Sequence, residues 1–307
     1  MLLDKAREAG AEVREECSVR KILRLEDGRV EAETEAGPVS ARFLIDATGQ
    51  STFLGKHLDL RQVLPDHRKV AYFDHFEGVA RRCGPEGGFI VIVICDEGWF
   101  WLIPLDETRT SVGVVMDAEA AKRLGVPPER MLAWAIERCP AVRERMEAAV
   151  SLGEHRVLAD FSYRCPPYAG PGYFLVGDAA LFVDPIFSTG VCMGMMSAVE
   201  AAKGISALLH GASPERVRRR YTRYVDGSSS VFFRLIDGYY QHSFRELFLN
   251  GQGPLRVHQA ALSVLAGYVF PRPSFALRWR LRLLWLFVRL NRFVPLVPRR
   301  QRFSLLG

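Results

Sequence analysis

The 307 residues are 49% hydrophobic and 25% charged, which excludes disordered, collagenous and low-complexity chains. The length suffices for one large domain or two smaller ones with a core that needs no disulfide. The formal charge of +6 is local: ten of the 41 basic side chains are arginines between Leu247 and Gly307, a stretch without lysine, aspartate or glutamate, so the residues before it hold 31 basic against 35 acidic groups. A nucleic-acid groove across the body is therefore not expected, while the basic tail could meet an anionic surface or stay solvated.

Cys17, Cys83, Cys95, Cys139, Cys165 and Cys192 include no CxxC pair. That argues against a metal site and for buried, reduced thiols in a cytoplasmic protein. Met1-Leu2-Leu3 runs straight into Asp4, Lys5, Arg7 and Glu8, so no secretion signal is expected. The longest uncharged stretches, Val257 to Pro271 and Pro185 to Val199, are 15 residues each and contain glycine. Both are shorter than the roughly 20 apolar residues of a membrane-spanning helix.

In chain order, Leu2, Leu3, Ala6 and Ala9 predict the back half of a helix stopped by Gly10. Strands are predicted over Glu12–Cys17, Arg20–Leu25, Val30–Glu35 after an Asp27-Gly28 turn, and Ser40–Asp46. Four β-branched and aromatic runs, 70–79, 89–95, 99–104 and 110–116, predict a mainly antiparallel sheet. Helices are expected over 118–124 and 128–149, strands over 156–164 and 173–176, a long apolar helix over 190–209, and an all-helical remainder after Ser213-Pro214.

Chemistry concentrates in Tyr173–Ala202, YFLVGDAALFVDPIFSTGVCMGMMSAVEAA. A buried strand ends in Gly177-Asp178, and a helix opens at Ser188-Thr189-Gly190. A carboxylate at a strand end accepts hydrogen bonds from ligand hydroxyls, and open amides at a helix N-terminus favour negative charge. This suits a cofactor with a polyol chain and an anionic ring. The stretch resembles the second cofactor motif of the FAD-dependent hydroxylase, halogenase and geranylgeranyl-reductase group. The resemblance implies that Gly177 and Asp178 meet the ribityl chain of FAD, and that Pro185, Ser188, Thr189, Gly190 and Val191 lie near the isoalloxazine ring. Leu44-Ile45-Asp46-Ala47-Thr48-Gly49 resembles the same group's strand against the adenosine half, which adds Thr48 and Gly49 to the cofactor-binding set.

Trp99 and Trp101, two residues apart in Gly98-Trp99-Phe100-Trp101-Leu102-Ile103-Pro104, fall on one face of a strand as an aromatic wall. The run resembles the WxWxIP signature of flavin-dependent halogenases, in which such a wall separates flavin from substrate. That family holds halide beside the amides of a Thr-Gly pair, here Thr189 and Gly190. Phe187 stands where tryptophan halogenases typically carry glutamate, so the likeness is to the phenol and pyrrole branch. The resemblance implies reduced FAD, oxygen and chloride or bromide acting on an electron-rich aromatic, small or carrier-tethered, with a separate flavin reductase as partner. An aromatic monooxygenase, a geranylgeranyl-reductase-like enzyme and a non-catalytic fragment with a membrane- or partner-binding tail remain alternatives.

The group's GxGxxG, in which glycines bring a helix N-terminus to the pyrophosphate, has no counterpart in these residues, and no lysine matches the family's catalytic one. A truncated chain, a wrongly placed start or a degenerate paralogue is the expectation, with weak FAD binding and an exposed strand edge. The expected architecture is α/β (α+β). Residues 1–60 and 155–212 form a partial Rossmann-like FAD-binding domain, 61–154 an antiparallel substrate-domain sheet, and 213–307 a C-terminal helical region. Within the latter, Arg278 to Leu290 alternates arginine with tryptophan and leucine, which suits either packing on the flavin domain or peripheral membrane contact.

Overall fold

The computed structural model describes residues 1–251, 254–270 and 273–306. Pro271, Arg272 and Gly307, counted above in the uncharged run and the basic tail, lie outside the described residues. The strands are β1 (Val19–Glu26), β2 (Arg29–Thr34), β3 (Gly37–Ala41), β4 (Leu44–Asp46), β5 (Gln62–Val63), β6 (Lys69–Glu77), β7 (Val91–Ile94), β8 (Gly98–Pro104), β9 (Arg109–Asp117), β10 (Val150–Ser151), β11 (Arg156–Ala159), β12 (Tyr163–Arg164), β13 (Ala169–Gly170), β14 (Tyr173–Leu175) and β15 (Leu181–Phe182). The helices are α1 (Leu2–Glu8), α2 (Phe53–His57), α3 (Ala118–Arg123), α4 (Pro128–Arg138), α5 (Pro140–Met146), α6 (Gly190–Leu209), α7 (Pro214–Tyr239), α8 (His242–Asn250), α9 (His258–Leu265) and α10 (Phe275–Phe293). The chain is mixed α/β, and it divides into two compact units.

The first unit comprises Met1–Leu60, Cys165–Ala180 and Met193–Asp226. A meander β1-β2-β3 turns at Asp27-Gly28, where Gly28 takes φ +77°. A second sheet, β13-β14-β4, pairs β14 and β4 in parallel with Leu175 opposite Asp46, and β4 is its edge. The strand expected over 40–46 is thus two strands, because the chain leaves β2 after Ala41 and takes β14 as its partner from Leu44. The strand expected over Glu12–Cys17 does not form; Arg14 and Glu12 instead pair with each other in solvent at 2.6 Å. Helix α1 forms but buries none of its residues.

Phe174 packs edge-to-face on Tyr221 at 5.1 Å, and the Tyr221 hydroxyl donates to the carbonyl of Leu175 at 2.6 Å. Helix α6 is, among the described residues, the one helix that length and composition alone would allow to cross a membrane. It exceeds the limit read from uncharged runs because only Glu200 and Lys203 interrupt it, and these pair with each other at 2.7 Å. Ser197 and Gly194 on α6 pack on the Gly177 turn, whereas Val191, Met195 and Val199 are exposed.

The second unit comprises Arg61–Arg164, Leu181–Cys192 and Gly227–Gly307. Its sheet runs β10-β6-β9-β8-β7, with β11 also paired to β6, and all pairings are antiparallel. The two-residue period sends Tyr72, Phe100, Leu102, Val112, Val114 and Met116 to one face, where Met131, Leu132 and Ala135 of α4 and Val142 of α5 cover them. The helix expected over 128–149 breaks at Cys139-Pro140, because proline offers no amide hydrogen and drives the residue before it out of helical geometry; Cys139 sits at φ −106°, ψ 98°.

The units divide the chain differently from the three expected regions. Residues 156–159 form β11 on the sheet and so group with the second unit, as do 181–192. The region 213–307 is not separate, because residues 227–307 fold onto that same unit. Helix α10 buries Leu277, Leu284, Val288 and Asn291, and its Trp285 stacks on Phe244 of α8 at 5.4 Å. Arg302 pairs with Asp96, and Leu305 enters the sheet core. Buried Glu246 ties α8 to the tail by accepting from Asn291 Nδ2 at 2.8 Å, Arg299 Nη1 at 2.7 Å and the Arg300 amide at 3.2 Å. Not all the thiols are buried: Cys83 and Cys192 are exposed and Cys17 is half-buried, while burial beside Glu97 pushes the Cys95 thiol up to about 12.

Candidate functional site

In the first unit, β4 and β14 run parallel, so the turns that follow them emerge at the same end of the sheet, where open α/β sheets bind their ligands. The 3-10 turns Gly49–Ser51 and Gly177–Ala179 lie against each other there. Asp46 makes the first turn: its buried carboxylate accepts from the Thr48 amide at 2.9 Å, the Thr48 hydroxyl at 2.6 Å and the Leu54 amide at 2.7 Å. Gly177 makes the second. Its φ is +54°, a Cβ there would stand 3.2 Å from the Gly194 Cα, and its amide donates to Ser197 Oγ at 3.0 Å. Thr48, Gly49, Gly177 and Asp178 are thereby brought together.

Half-buried Asp178 has its carboxyl raised by burial, which favours hydroxyl donors beside it. With Ala47, Gly49 and Ala179 contributing almost no side-chain bulk, this end fits the polyol part of FAD. The described residues supply no glycine-rich strand–turn–helix for the pyrophosphate. Among the described residues no group of three or more His, Cys, Asp or Glu could hold a metal.

In the second unit, Trp99 and Trp101 lie side by side on β8, ring centres 5.8 Å apart and tilted by 49°. Two glycines missed as site residues make this possible. Gly113 on β9 faces Trp101, and a Cβ there would fall 2.3 Å from the indole ring; a Cβ on Gly98 would fall 1.8 Å from the Val115 carbonyl oxygen. Trp101 Nε1 donates to Ser111 Oγ at 3.1 Å. Trp99 Nε1 donates to the Tyr240 hydroxyl at 3.1 Å, and that hydroxyl donates to the buried carboxylate of Asp184. Asp184 also accepts from the Ile186 amide at 3.0 Å, capping the turn Pro185–Phe187.

One buried chain of hydrogen bonds therefore links the wall to the loop carrying Pro185, Ser188, Thr189 and Gly190. Burial raises the Asp184 carboxyl, opposed by Tyr240, the Ile186 amide, Lys69 and His67. Ser188 is left-handed at φ +52°, after which α6 opens at Gly190 with exposed Val191 in its first turn. The amides of that first turn form an N-terminus favourable to an anion. Tyr240 was not among the residues expected from the sequence; its partners are 56 and 141 positions away, so no local pattern announces it.

A family model described as tryptophan halogenase matches residues 1–246 of this chain. The chain belongs to the tryptophan halogenase family. Among relatives, it is 30% identical over 245 residues to a 1H-pyrrole-2-carbonyl-(peptidyl-carrier protein) brominase of Pseudoalteromonas luteoviolacea, covering 77% of this chain and 60% of the brominase. It is 32% identical over 213 residues to the flavin-dependent halogenase gsfI of Penicillium aethiopicum, covering 66% of this chain and 40% of that one. The chain thus spans roughly half the length of these halogenases. Among solved structures it superposes on a variant of the flavin-dependent brominase Bmp2 with a TM-score of 0.79 at 26% identity, over 93% of this chain and 73% of that one. The myxobacterial chondrochloren halogenase CndH gives a TM-score of 0.70 at 28% identity, over 94% and 72%. The halogenase fold expected from WFWLIP and the GD motif is the fold observed.

Proposed function

We propose that the protein is a flavin-dependent halogenase that installs bromide or chloride on an electron-rich aromatic, a phenol or a pyrrole, free or carried on a carrier protein. The observation that carries this reading is the paired Trp99–Trp101 wall, hydrogen-bonded through Tyr240 to the loop that leads into Ser188-Thr189-Gly190. The relative named as a brominase of a pyrrole group on a peptidyl-carrier protein, and Phe187 in place of a glutamate, support the phenol or pyrrole class.

Asp178 would hold the ribityl hydroxyls of FAD, with Thr48 and Gly49 beside it. Thr189 and Gly190 would hold halide on helix-terminal amides, and Trp99 and Trp101 would keep substrate apart from the oxidising centre. When bound and reduced, by a separate flavin reductase, FAD supplies the oxidation of halide by oxygen. The test incubates the protein with FAD, a flavin reductase, NADH, bromide and a panel of phenols and pyrroles, including a carrier-bound pyrrole. A product in which bromine replaces hydrogen supports the reading; turnover that never yields a brominated product on any member of the panel refutes it.

A further inference from the structure

A cavity of about 550 Å³ opens on the second unit, at the β7 edge of the sheet. Strand β7 is the edge of the sheet: Ile92 and Ile94, which pair with Trp101 and Trp99, line the cavity, and Val93, Cys95 and Phe303, which also touch the core, complete its wall at that edge. Phe187 and Phe248 add aromatic surface, ring centres 5.9 Å apart. Helix α8 contributes one face, with Ser243, Phe244, Glu246 and Leu247 buried and His242, Arg245 and Phe248 turned to the cavity.

The polar part of the lining is cationic. Arg302 is matched by Asp96, and His242 lies 3.1 Å from Glu246. Arg245 and Arg300 have no carboxylate partner among the described residues: the Arg245 guanidinium donates only to the Tyr239 carbonyl at 3.4 Å, and Arg300 meets Glu246 through its backbone amide. Two guanidiniums without counterions beside an apolar, aromatic-lined space of ligand size are a recognition site for an anion attached to a ring.

We propose that this cavity binds an aromatic group bearing an anion, a carboxylate or a phosphate ester, with the ring against Phe187, Phe248 and Ile92 and the anion on Arg245 and Arg300. Resting on the halogenase reading, this names the substrate as an acid or a phosphate-bearing conjugate rather than a neutral phenol. The two sources of that anion are a free aromatic acid and an aryl phosphate ester, each of which keeps the anion within a few bonds of the ring.

The test is a fluorescence titration of the protein at low salt, without flavin or halide, with naphthalene carboxylate, naphthyl phosphate and the neutral naphthalene carboxamide. At least one anion should bind about tenfold tighter than the amide, as charge-assisted hydrogen bonds imply. Arg245→Gln and Arg300→Gln should each remove most of that preference, leave amide binding unchanged, and leave the thermal unfolding curve in place. A stronger response to phosphate marks an aryl phosphate as source, and a stronger response to carboxylate marks the free acid. Equal binding of amide and both anions, or a double variant that keeps the preference, overturns the proposal. Because no turnover is involved, that failure would leave the halogenase reading standing, and failed bromination would leave an anion preference standing.

Discussion

Replacing Tyr240 by phenylalanine removes one hydroxyl and breaks two buried hydrogen bonds, one received from Trp99 Nε1 and one given to Asp184. A hydrogen bond to a charged group is worth about 1.5–3 kcal/mol, and an orphaned buried donor costs about 1–3 kcal/mol, so the expected loss at neutral pH is about 2–4 kcal/mol after partial relaxation. The loss depends on pH with a sign that burial fixes. The Asp184 carboxyl is raised above its ordinary value by burial, so the stability it contributes is full below the unfolded value near 3.9 and is lost as pH rises through the folded value. Tyr240 pulls the carboxyl back down by donating to the ionised form, and without it the carboxyl rises further. The deficit of Tyr240→Phe must therefore grow from acid toward neutral and alkaline pH. Urea unfolding near pH 5 and near pH 8, followed by tryptophan fluorescence, reads it. Neighbouring Tyr239, whose buried hydroxyl has no hydrogen-bond partner among the described residues, is the control: Tyr239→Phe should stay within about 0.5 kcal/mol of the parent. A Tyr240→Phe deficit that is absent at both pH values, or larger in acid, would refute the network.

Gly113→Ala should drive Trp101 from its place, since the new Cβ would stand 2.3 Å from the indole; a cost of about 1–3 kcal/mol in urea unfolding and a changed near-ultraviolet dichroism are expected, and an unchanged spectrum would contradict the packing. Glu246→Ala should cost about 1–3 kcal/mol, because it leaves the buried Asn291 amide only a long bond to the Ser243 carbonyl, while half-exposed Arg299 turns to solvent. Although burial opposes ionisation there, the bonds from Arg299, the Arg300 amide and Asn291 hold the Glu246 carboxyl below its usual range, so the parent should lose stability as pH falls through that value and Glu246→Gln should lack that acid transition. Asp178→Ala should weaken FAD binding about tenfold in a flavin-fluorescence titration, and unchanged affinity would remove Asp178 from the cofactor site. Co-sedimentation with anionic vesicles separates the two readings of the tail: α10, packed through Leu277, Leu284, Val288 and Trp285, is expected not to bind even at low salt, and salt-sensitive binding through Arg278, Arg280 and Arg282 would favour membrane contact instead.

What the sequence made legible was local. β-Branched and aromatic runs in Val70–Met116 marked the strands of the large sheet, the two-residue spacing of Trp99 and Trp101 marked their common face, and Pro128 marked the start of α4. Proline also misled by omission, since Pro140 inside an otherwise periodic run broke the helix that amphipathicity alone extends to Ala149. The rest depends on long-range partners. Leu44–Asp46 reads as the end of one strand until β14 is there to capture it, and the arginine tail reads as a surface feature until Glu246, Asp96 and the sheet core are seen to hold it. Gly98 and Gly113 carry no motif; only the Val115 carbonyl and the Trp101 ring opposite explain them. Tyr240, which joins Trp99 to the Asp184 turn, carries no local motif and is visible only in the fold.

The central claim, oxidation of halide behind a tryptophan wall in place of direct oxygenation of the substrate, is tested most directly by the fate of oxygen. The protein is supplied with reduced FAD, bromide, an electron-rich aromatic and isotopically labelled oxygen gas, and the product is weighed by mass spectrometry. The account predicts a product that carries bromine and no labelled oxygen; a product that carries the label and no bromine would contradict it.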